Sequence, residues 1–266
     1  MKASVKIKNK DYSINLSNGL DISIPYDFET GNQPNFYNVP KGNKTPLIIK
    51  NQKFITKNNL GCNVYIFNYN IQCTGTHTEC VGHISSKKIY VNKLIPNELI
   101  PSYLISIKPI NHKKTTDTYH SKYSKDDLVI SKELLYNALY KIDTSLYTGL
   151  VIRTKPNTNH KKIQNYQNTR APFLTNNAMQ YINELNIDYL FVDLPSVDRD
   201  DDGGKLLNHK IFWNFNNKEK ECSHKLITEM IFVNNAIKDG SYLLNLKTPN
   251  FMADAIPSNP ILYKIL

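Results

Sequence analysis

Several features that define common protein classes are scarce in this 266-residue sequence. It contains no run near the ~20 consecutive apolar residues that a transmembrane helix needs. Residues 1–16 alternate lysine with single apolar residues and contain no apolar core, so we expect no signal peptide. Together these features predict a soluble, cytoplasmic protein.

Cysteine is also scarce, and its spacing is uninformative. The four cysteines form no CxxC pair and have no even spacing; they are Cys62, Cys73, Cys80 and Cys222. Without a secretion signal, this pattern argues against a disulfide framework.

Arginine is scarcer still, although the chain is basic. Thirty-three basic residues face 23 acidic ones, for a formal net charge of +10, and only three of the basic residues are arginine (Arg153, Arg170 and Arg199). The charge is consistent either with a nucleic-acid or acidic-lipid surface or with the lysine-rich codon usage of an AT-rich genome. Because readers of bases and phosphates rely on the arginine fork, we favour codon usage and expect neither a nucleic-acid partner nor a membrane partner.

The residues that are abundant describe a folded protein. Hydrophobic residues make up 40% of the chain and aromatic residues 11%, which is enough for a full core. No repeat or linker marks a boundary, so we expect a single domain over residues 1–266.

Hydrophobic patterns predict an α/β fold with a mixed sheet flanked by helices. Residues 3–16 predict a hairpin, 28–45 a long loop of the kind that forms lids or substrate walls, and 62–72 a strand. Further strands are predicted at 103–107, 128–130, 149–153, 189–193, 241–246 and 260–266. Ser131 and Thr175 are expected to cap two helices between them.

The segment at residues 74–83, TGTHTECVGH, carries the most distinctive chemistry. His77 and Glu79 are two residues apart, so on an extended backbone both side chains point to one face, and His83 follows after Val-Gly. An imidazole and a carboxylate beside a further basic group are typical ligands of first-row metals. Ordinary hydrogen-bonded histidines would give the same local pattern.

Three later stretches add candidate groups. Residues 193–198, DLPSVD, follow an apolar strand, where α/β proteins commonly place site residues. His209 comes shortly afterwards. Glu229 lies in an apolar strand, where a lone carboxylate is costly unless it is paired or ligated. Asp193, Ser196 and Asp198 fit either a supporting role at the site or the capping of a turn.

The remaining polar candidates have plainer interpretations. His112, His120, His160 and His224 lie in polar stretches, and we expect them at the surface. The acidic run at 200–202 is expected to be an exposed loop. Phe212 and Trp213 fit core packing or an aromatic pocket beside His209.

The order GTHxExxxH, DxPSxD, L-x-H and I-x-E resembles the cyclase family of metal-dependent hydrolases, which includes kynurenine formamidases and isatin hydrolases. The family signature is HxGTHxDxPxH, followed by DxPSxD and by single His and Glu ligands, and the resemblance spans residues 14–264. It implies a cyclase-like fold of the swivelling β/β/α type. It also implies a homodimer or homotetramer in which neighbouring chains help to close the pocket.

The resemblance also implies residue roles. His77 and Glu79 would be metal ligands, with Glu79 in a position that can bridge two ions. His83 would be the catalytic acid and base. His209 and Glu229 would complete a second metal site, and the metal would be Zn or Mn.

Three residues depart from the signature. Cys73 replaces the first histidine, Glu79 replaces the aspartate and Val81 replaces the proline. Cys73 is either a thiolate ligand or a buried inert cysteine.

The sequence therefore predicts a metal-dependent hydrolase of a small amide, formamide or lactam, similar to arylformamidases. The alternative is a homologue of the same fold that binds a metal or a ligand but has lost turnover. A nucleic-acid binder based on the positive charge is a third hypothesis, which salt-sensitive binding would test.

Overall fold

The central strands of the structure are almost purely apolar because the sheet is covered on both faces.

The computed structural model describes residues 1–7, 9–58, 61–167, 169–215 and 223–265. Cys222 and Leu266 lie outside the described residues. The strands, numbered in chain order, are β1 (Lys2–Ile7), β2 (Lys10–Asn15), β3 (Leu20–Asp21), β4 (Asn43–Pro46), β5 (Ile48–Ile49), β6 (Gln52–Lys53), β7 (Tyr65–Asn68), β8 (His77–Glu79), β9 (Ile100–Ile107), β10 (Ile110–Asn111), β11 (Leu128–Ile130), β12 (Gly149–Thr154), β13 (Phe173–Leu174), β14 (Tyr189–Val192), β15 (Leu226–Glu229), β16 (Gly240–Lys247), β17 (Ala255–Pro257) and β18 (Asn259–Lys264). The α-helices are α1 (Ile71–Thr74), α2 (Lys132–Leu139), α3 (Asn176–Glu184) and α4 (Leu207–Phe212).

The main sheet is mixed. Its strand order is β17-β8-β15-β14-β12-β9-β16-β18-β3. The four strands β9, β12, β14 and β15 run parallel, and the strands on either side of them pair antiparallel. This arrangement confirms the expected mixed α/β architecture.

Alternate residues of the central strands face two different hydrophobic clusters. Leu150 and Ile152 of β12 pack in the cluster that contains Leu135 of α2 and Ile182 of α3. Val151, between them, faces the opposite cluster. The helices therefore cover one face of the sheet, which is called the helix face below.

The predicted helix starts are confirmed by their caps. The Ser131 hydroxyl accepts a hydrogen bond from the amide of Leu134, and the Thr175 hydroxyl accepts one from the amide of Ala178. Each side chain satisfies an amide that the first helical turn leaves without a partner.

The strand predicted at residues 62–72 is shorter in the structure. Only Tyr65–Asn68 is extended, and it pairs with β4 in a separate two-stranded ribbon. Asn70 accepts the amide of Cys73 and caps the short helix α1. This cap starts a helical turn where the apolar pattern predicted a continuing strand.

Candidate metal centre

The pairing of β8 with β15 brings the first candidate ligands together. In this antiparallel register His77 lies opposite Glu229, and Glu79 lies opposite Ile227. Because Ile227 belongs to the cluster on the helix face, His77, Glu79 and Glu229 also project from that face. The expectation that His77 and Glu79 share one face of an extended segment is met.

Helix α4 adds a second imidazole to this group. The Nε2 atom of His209 lies 2.8 Å from Glu79 Oε1 and 3.8 Å from Glu229 Oε1. The Nε2 atom of His77 lies 3.5 Å from Glu229 Oε2. All four side chains are buried. They are called the buried cluster below.

Each imidazole near the cluster has an acceptor at its other ring nitrogen. The Nδ1 atom of His77 lies 3.1 Å from the Gly75 carbonyl oxygen, and that of His209 lies 2.7 Å from Asp198 Oδ2. Such an acceptor places the proton on Nδ1 and leaves the Nε2 lone pair for a metal ion. Asp198 thus supports the site, as the sequence allowed, and it also accepts the amides of Asn208 and His209 at the start of α4.

The two carboxylates of the cluster perturb one another and their imidazole neighbours. Burial and the charge of Glu79 raise the pKa of Glu229. Burial opposes ionisation of Glu79, but the neighbouring His83 and His209 outweigh it and lower the pKa of Glu79 to about 2. Burial lowers the pKa of His209, yet Glu79 and Asp198 outweigh burial and raise it well above its ordinary value.

These donors fit a divalent cation. Among the described residues, one donor atom from each of His77, Glu79 and Glu229 lies within 4.8 Å of the others, and His209 adjoins this group through its contact with Glu79 without belonging to it. The His77 Nε2 atom is buried and has no hydrogen-bond partner among the described residues. Two carboxylates buried close together, beside an imidazole nitrogen that lacks a partner, are a costly arrangement, and a divalent cation would stabilise the carboxylates and bind the nitrogen.

His83 lies at the edge of the buried cluster and is partly accessible. Its Nε2 atom is 3.7 Å from Glu79 Oε2, and its Nδ1 atom is 3.4 Å from Asp254 Oδ2. The His83 side chain is 28% exposed, so a bound molecule can reach it. The charge of Glu79 raises the pKa of His83.

Asp254 is a residue that the sequence does not single out. Asp254 directly precedes β17, whose Ala255 pairs with Glu79 of β8. The Asp254 carbonyl accepts a hydrogen bond from the amide of Cys80. These contacts hold the carboxylate beside His83. Asp254 belongs to no motif, and only the pairing of two distant strands brings it to the site.

Cys73 lies close to the buried cluster but in apolar surroundings. It packs with Phe36 and Met230, and among the described residues its sulfur is not part of the group of mutually close donor atoms. Burial and the charge of Glu229 raise the pKa of the thiol to about 11. Whether Cys73 ligates a metal stays a prediction. In the part of the chain that the structure describes, Cys62, Cys73 and Cys80 form no disulfide.

The predicted long loop, residues 28–45, lies against this region. The amide of Phe36 donates to the Cys73 carbonyl, and the Tyr37 hydroxyl donates to the Asp200 carbonyl. Burial, followed by the charges of Asp200 and Asp202, raises the pKa of Tyr37 to about 12. The loop therefore forms a wall beside the candidate site.

Two surface expectations are wrong. The His120 side chain is 8% exposed and contacts Asp202, which is also buried although it lies in the acidic run. The two Asp202 oxygens accept the amides of Gly204 and Leu206, and this turn draws the carboxylate inward.

His120, Asp198 and Asp202 lie close together. Because both carboxylates already accept several protein hydrogen bonds, we do not regard this group as a second metal centre.

Phe212 and Trp213 are core residues, with their side chains fully buried. The Trp213 ring lies 5.3 Å from the ring of His209, measured between centroids. Packing of these rings anchors the carboxyl end of α4 in the core and places the Trp213 ring beside the His209 ring.

Fold and cluster together define an α/β protein with a candidate divalent-metal centre on the helix face of a mixed sheet. A sequence model of the Cyclase family, described as "Putative cyclase", matches residues 20–199. This match covers more than half of the chain, and the chain therefore belongs to the Cyclase family. His209 and Glu229 lie beyond the matched range.

Solved structures share the fold at low sequence identity. A predicted metal-dependent hydrolase from Bacillus stearothermophilus is 16% identical, with a TM-score of 0.58 over 92% of this chain and 98% of that one. Isatin hydrolase A from Labrenzia aggregata is 11% identical, with a TM-score of 0.61 over 92% and 93% of the two chains. Isatin hydrolase A from Ralstonia solanacearum is 10% identical, with a TM-score of 0.61 over 92% and 91%. No curated protein sequence matches this chain.

These likenesses confirm the expected family and fold. In the part of the chain that the structure describes, no helix is long and apolar enough to span a membrane.

Proposed function

We propose that this protein is a metal-dependent hydrolase that adds water to a small amide, formamide or lactam, with a preference for aryl compounds. The observation that carries the proposal is the convergence of two imidazoles and two carboxylates, with the partly exposed His83 beside them. The names of the isatin hydrolases and of the metal-dependent hydrolase that share the fold support the same reaction class.

His77, Glu79, His209 and Glu229 would hold the metal ion. Imidazole and carboxylate donors suit either Zn or Mn, and we propose one of these two metals. Such an ion supplies Lewis acidity, which makes water a stronger acid and polarises a carbonyl oxygen.

His83 would move the proton. Its Nε2 atom would take a proton from the attacking water and return it to the nitrogen that leaves the carbonyl carbon. Asp254, at 3.4 Å from Nδ1, would keep the ring oriented during both transfers. Because all four residues of the buried cluster are buried, His83 at its edge is better placed than they are to meet both substrate and water.

The test combines metal content with hydrolysis. Protein purified without a chelator is analysed for Zn and Mn and then assayed against aryl formamides and aryl lactams with either ion added. We expect hydrolysis that a chelator abolishes. The His83→Ala variant should retain the metal but lose at least about 100-fold in kcat, the lower range for a general acid-base group.

The matched control is His224→Ala, which removes an imidazole that is 65% exposed and contacts Asp188. It should leave both metal content and kcat unchanged. Metal-loaded wild-type protein that hydrolyses no member of the panel would contradict the proposal.

Such a result would favour the alternative, a homologue that binds a metal or a ligand without turnover. Cys73 is the specific observation that favours it, because a buried thiol stands where the family signature has an imidazole.

A further inference from the structure

Met230, which directly follows the candidate ligand Glu229 at the end of β15, has a left-handed backbone. Its φ is 54°, and the residue is buried. The other non-glycine residues with a positive φ in the described part of the chain are at least partly exposed. This conformation is uncommon for a long side chain such as methionine, and it persists only where the surroundings hold it in place.

The turn at Met230 brings the loop after β14 to the Glu229 carboxylate. The Met230 amide donates to the Leu194 carbonyl at 2.9 Å, and the amide of Val197, in the same loop, donates to Glu229 Oε1 at 2.7 Å. The other carboxylate oxygen, Oε2, faces His77 Nε2 at 3.5 Å. The position of this candidate ligand therefore depends on the backbone of Met230.

The Thr76 hydroxyl holds this turn from the neighbouring strand. Thr76 directly precedes β8, its side chain is fully buried, and its Oγ1 atom donates to the Met230 carbonyl. The same oxygen accepts the amide of Ile24 at 2.7 Å. A hydroxyl can donate and accept at once, so one small side chain satisfies two backbone groups here. Valine has nearly the same shape and can do neither.

The backbone of Thr76 is held by contacts that do not involve its hydroxyl. Its amide donates to the Ile24 carbonyl at 3.2 Å. Its carbonyl accepts the amide of Ser258 at 3.1 Å and the hydroxyl of Tyr26 at 3.2 Å. Loss of the hydroxyl should therefore leave the start of β8 in place and act on Met230.

We propose that Thr76 is a positioning residue of the metal centre, because its hydroxyl holds Met230 in the left-handed conformation that directs the Glu229 carboxylate toward the ion. The inference rests on the proposed function, since it concerns the metal centre of that hydrolase. Without the hydroxyl, the Met230 backbone can relax toward an ordinary conformation, and Glu229 loses its place opposite His77. A purely structural role for Thr76 would instead lower stability and leave metal affinity unchanged.

The Thr76→Val variant tests the proposal by metal binding rather than by turnover. Competition with a chromogenic chelator measures the Kd of the full chain for Zn and for Mn. We expect the Kd to rise at least about tenfold, which is within the range for groups that orient a metal ligand. The visible spectrum of bound Co²⁺ depends on the arrangement of the ligands and should change as well. A Thr76→Val chain with wild-type Kd and spectrum would overturn the inference.

Thr78→Val is the matched control. Thr78 lies in β8 between His77 and Glu79, and its buried hydroxyl is 2.7 Å from the hydroxyl of Thr228 on β15. Because successive side chains of a strand alternate, it projects from the face opposite the buried cluster. Both valine variants lose a buried hydrogen bond and should unfold at a lower temperature. Thr78→Val should change the Kd by less than about threefold, and an equal loss of affinity in both variants would refute the positioning role.

Thr76→Ser restores the hydroxyl without the methyl group. It should bind Zn and Mn within about threefold of the wild-type chain and give the wild-type Co²⁺ spectrum, because the contact with Met230 returns. A tenfold loss in the serine variant would also overturn the inference, and this result does not require the valine chain to fold. Sucrose in the buffer favours the folded state of all the variants.

The assay with aryl formamides and aryl lactams separates this inference from the proposed function. Hydrolysis by the wild-type chain together with an unchanged Kd in Thr76→Val would uphold the hydrolase and refute the positioning role. Weakened metal binding in Thr76→Val, when the metal-loaded wild-type chain hydrolyses nothing, would uphold the positioning role and refute the hydrolase. A wild-type chain that binds neither Zn nor Mn would refute both.

Discussion

The Asp198→Asn variant tests whether the carboxylate behind His209 prepares that imidazole for a metal. Asp198 Oδ2 lies 2.7 Å from His209 Nδ1, so the carboxylate holds one ring proton at Nδ1, and Nε2 is the nitrogen that a metal ion would bind in exchange for its own proton. An asparagine amide turned toward the ring would instead favour the proton on Nε2. That atom lies 2.8 Å from Glu79 and would then no longer be a metal donor.

We expect the Asp198→Asn variant to bind the metal more weakly, by the amount typical of losing a group that orients a metal ligand. Removal of such groups typically weakens metal binding about 10- to 100-fold. This range corresponds to about 1.4–2.7 kcal/mol of binding free energy. Asp198 Oδ1 also accepts the Tyr119 hydroxyl at 2.9 Å, so part of any loss of stability comes from that second contact.

Competition between the protein and a chromogenic chelator measures the Kd for Zn and for Mn, and circular dichroism checks the fold. Tyr119→Phe is the matched control, because it removes the hydroxyl contact at Oδ1, keeps the Asn208 amide there, and preserves the carboxylate that faces His209. We expect this control to change the Kd by less than about threefold, well below the range for an orienting group. A folded Asp198→Asn protein with wild-type metal affinity would refute the reasoning.

Three further predictions follow from the same contacts. Asp254→Ala should lower kcat about tenfold at unchanged metal content, because the ring of His83 loses the acceptor that orients it; an unchanged kcat would contradict this role. Cys73→Ser should retain full metal content by elemental analysis if the thiol is not a ligand, and a loss of metal would identify Cys73 as one. Thermal unfolding of the metal-free chain should show greatest stability between about pH 4.5 and 6.5. The lowered pKa of Glu79 stabilises the fold above its ordinary value of 4.5 and loses this effect toward pH 2. The raised pKa of His209 stabilises below its ordinary value of 6.5 and loses this effect as the pH rises. A stability that stays constant from about pH 2 to well above pH 6.5 would contradict both assignments.

The parts of the fold that follow from the sequence are those that local chemistry determines. Ser131 and Thr175 each meet an amide three residues ahead, so a short stretch of sequence is enough to locate both helix starts. The apolar residues at 149–153 predict a buried strand because each face of that strand meets a hydrophobic cluster. Asn70 also acts locally, because its side chain caps α1. The apolar pattern of the same segment favours a strand, and the sequence pattern alone does not show that the helical turn forms instead.

The candidate site depends on pairings that the local sequence does not specify. His77 and Glu229 are 152 residues apart, and only the β8–β15 register places them opposite each other. The family signature predicts this set because it records which distant residues belong together, although it does not include Asp254. His120 and Asp202 were expected at the surface because their neighbours are polar. Asp202 is buried because a turn supplies amide donors to its carboxylate, and the His120 side chain is buried because it packs against Asp202 and the ring of Tyr119.

Two departures from the signature have linked consequences for charge at the centre. The longer side chain of Glu79 brings its carboxylate into contact with both His209 and His83. Cys73, with its thiol pKa raised to about 11, contributes a neutral side chain at neutral pH where the signature has a basic imidazole. The buried cluster then contains two carboxylates, and one divalent cation balances them. A second cation would have to bind without the imidazole that the signature has at the position of Cys73. It would also leave excess positive charge in a buried site, which is costly. Charge balance therefore favours a centre for one metal ion, unless metal binding itself deprotonates Cys73 and supplies a third negative ligand.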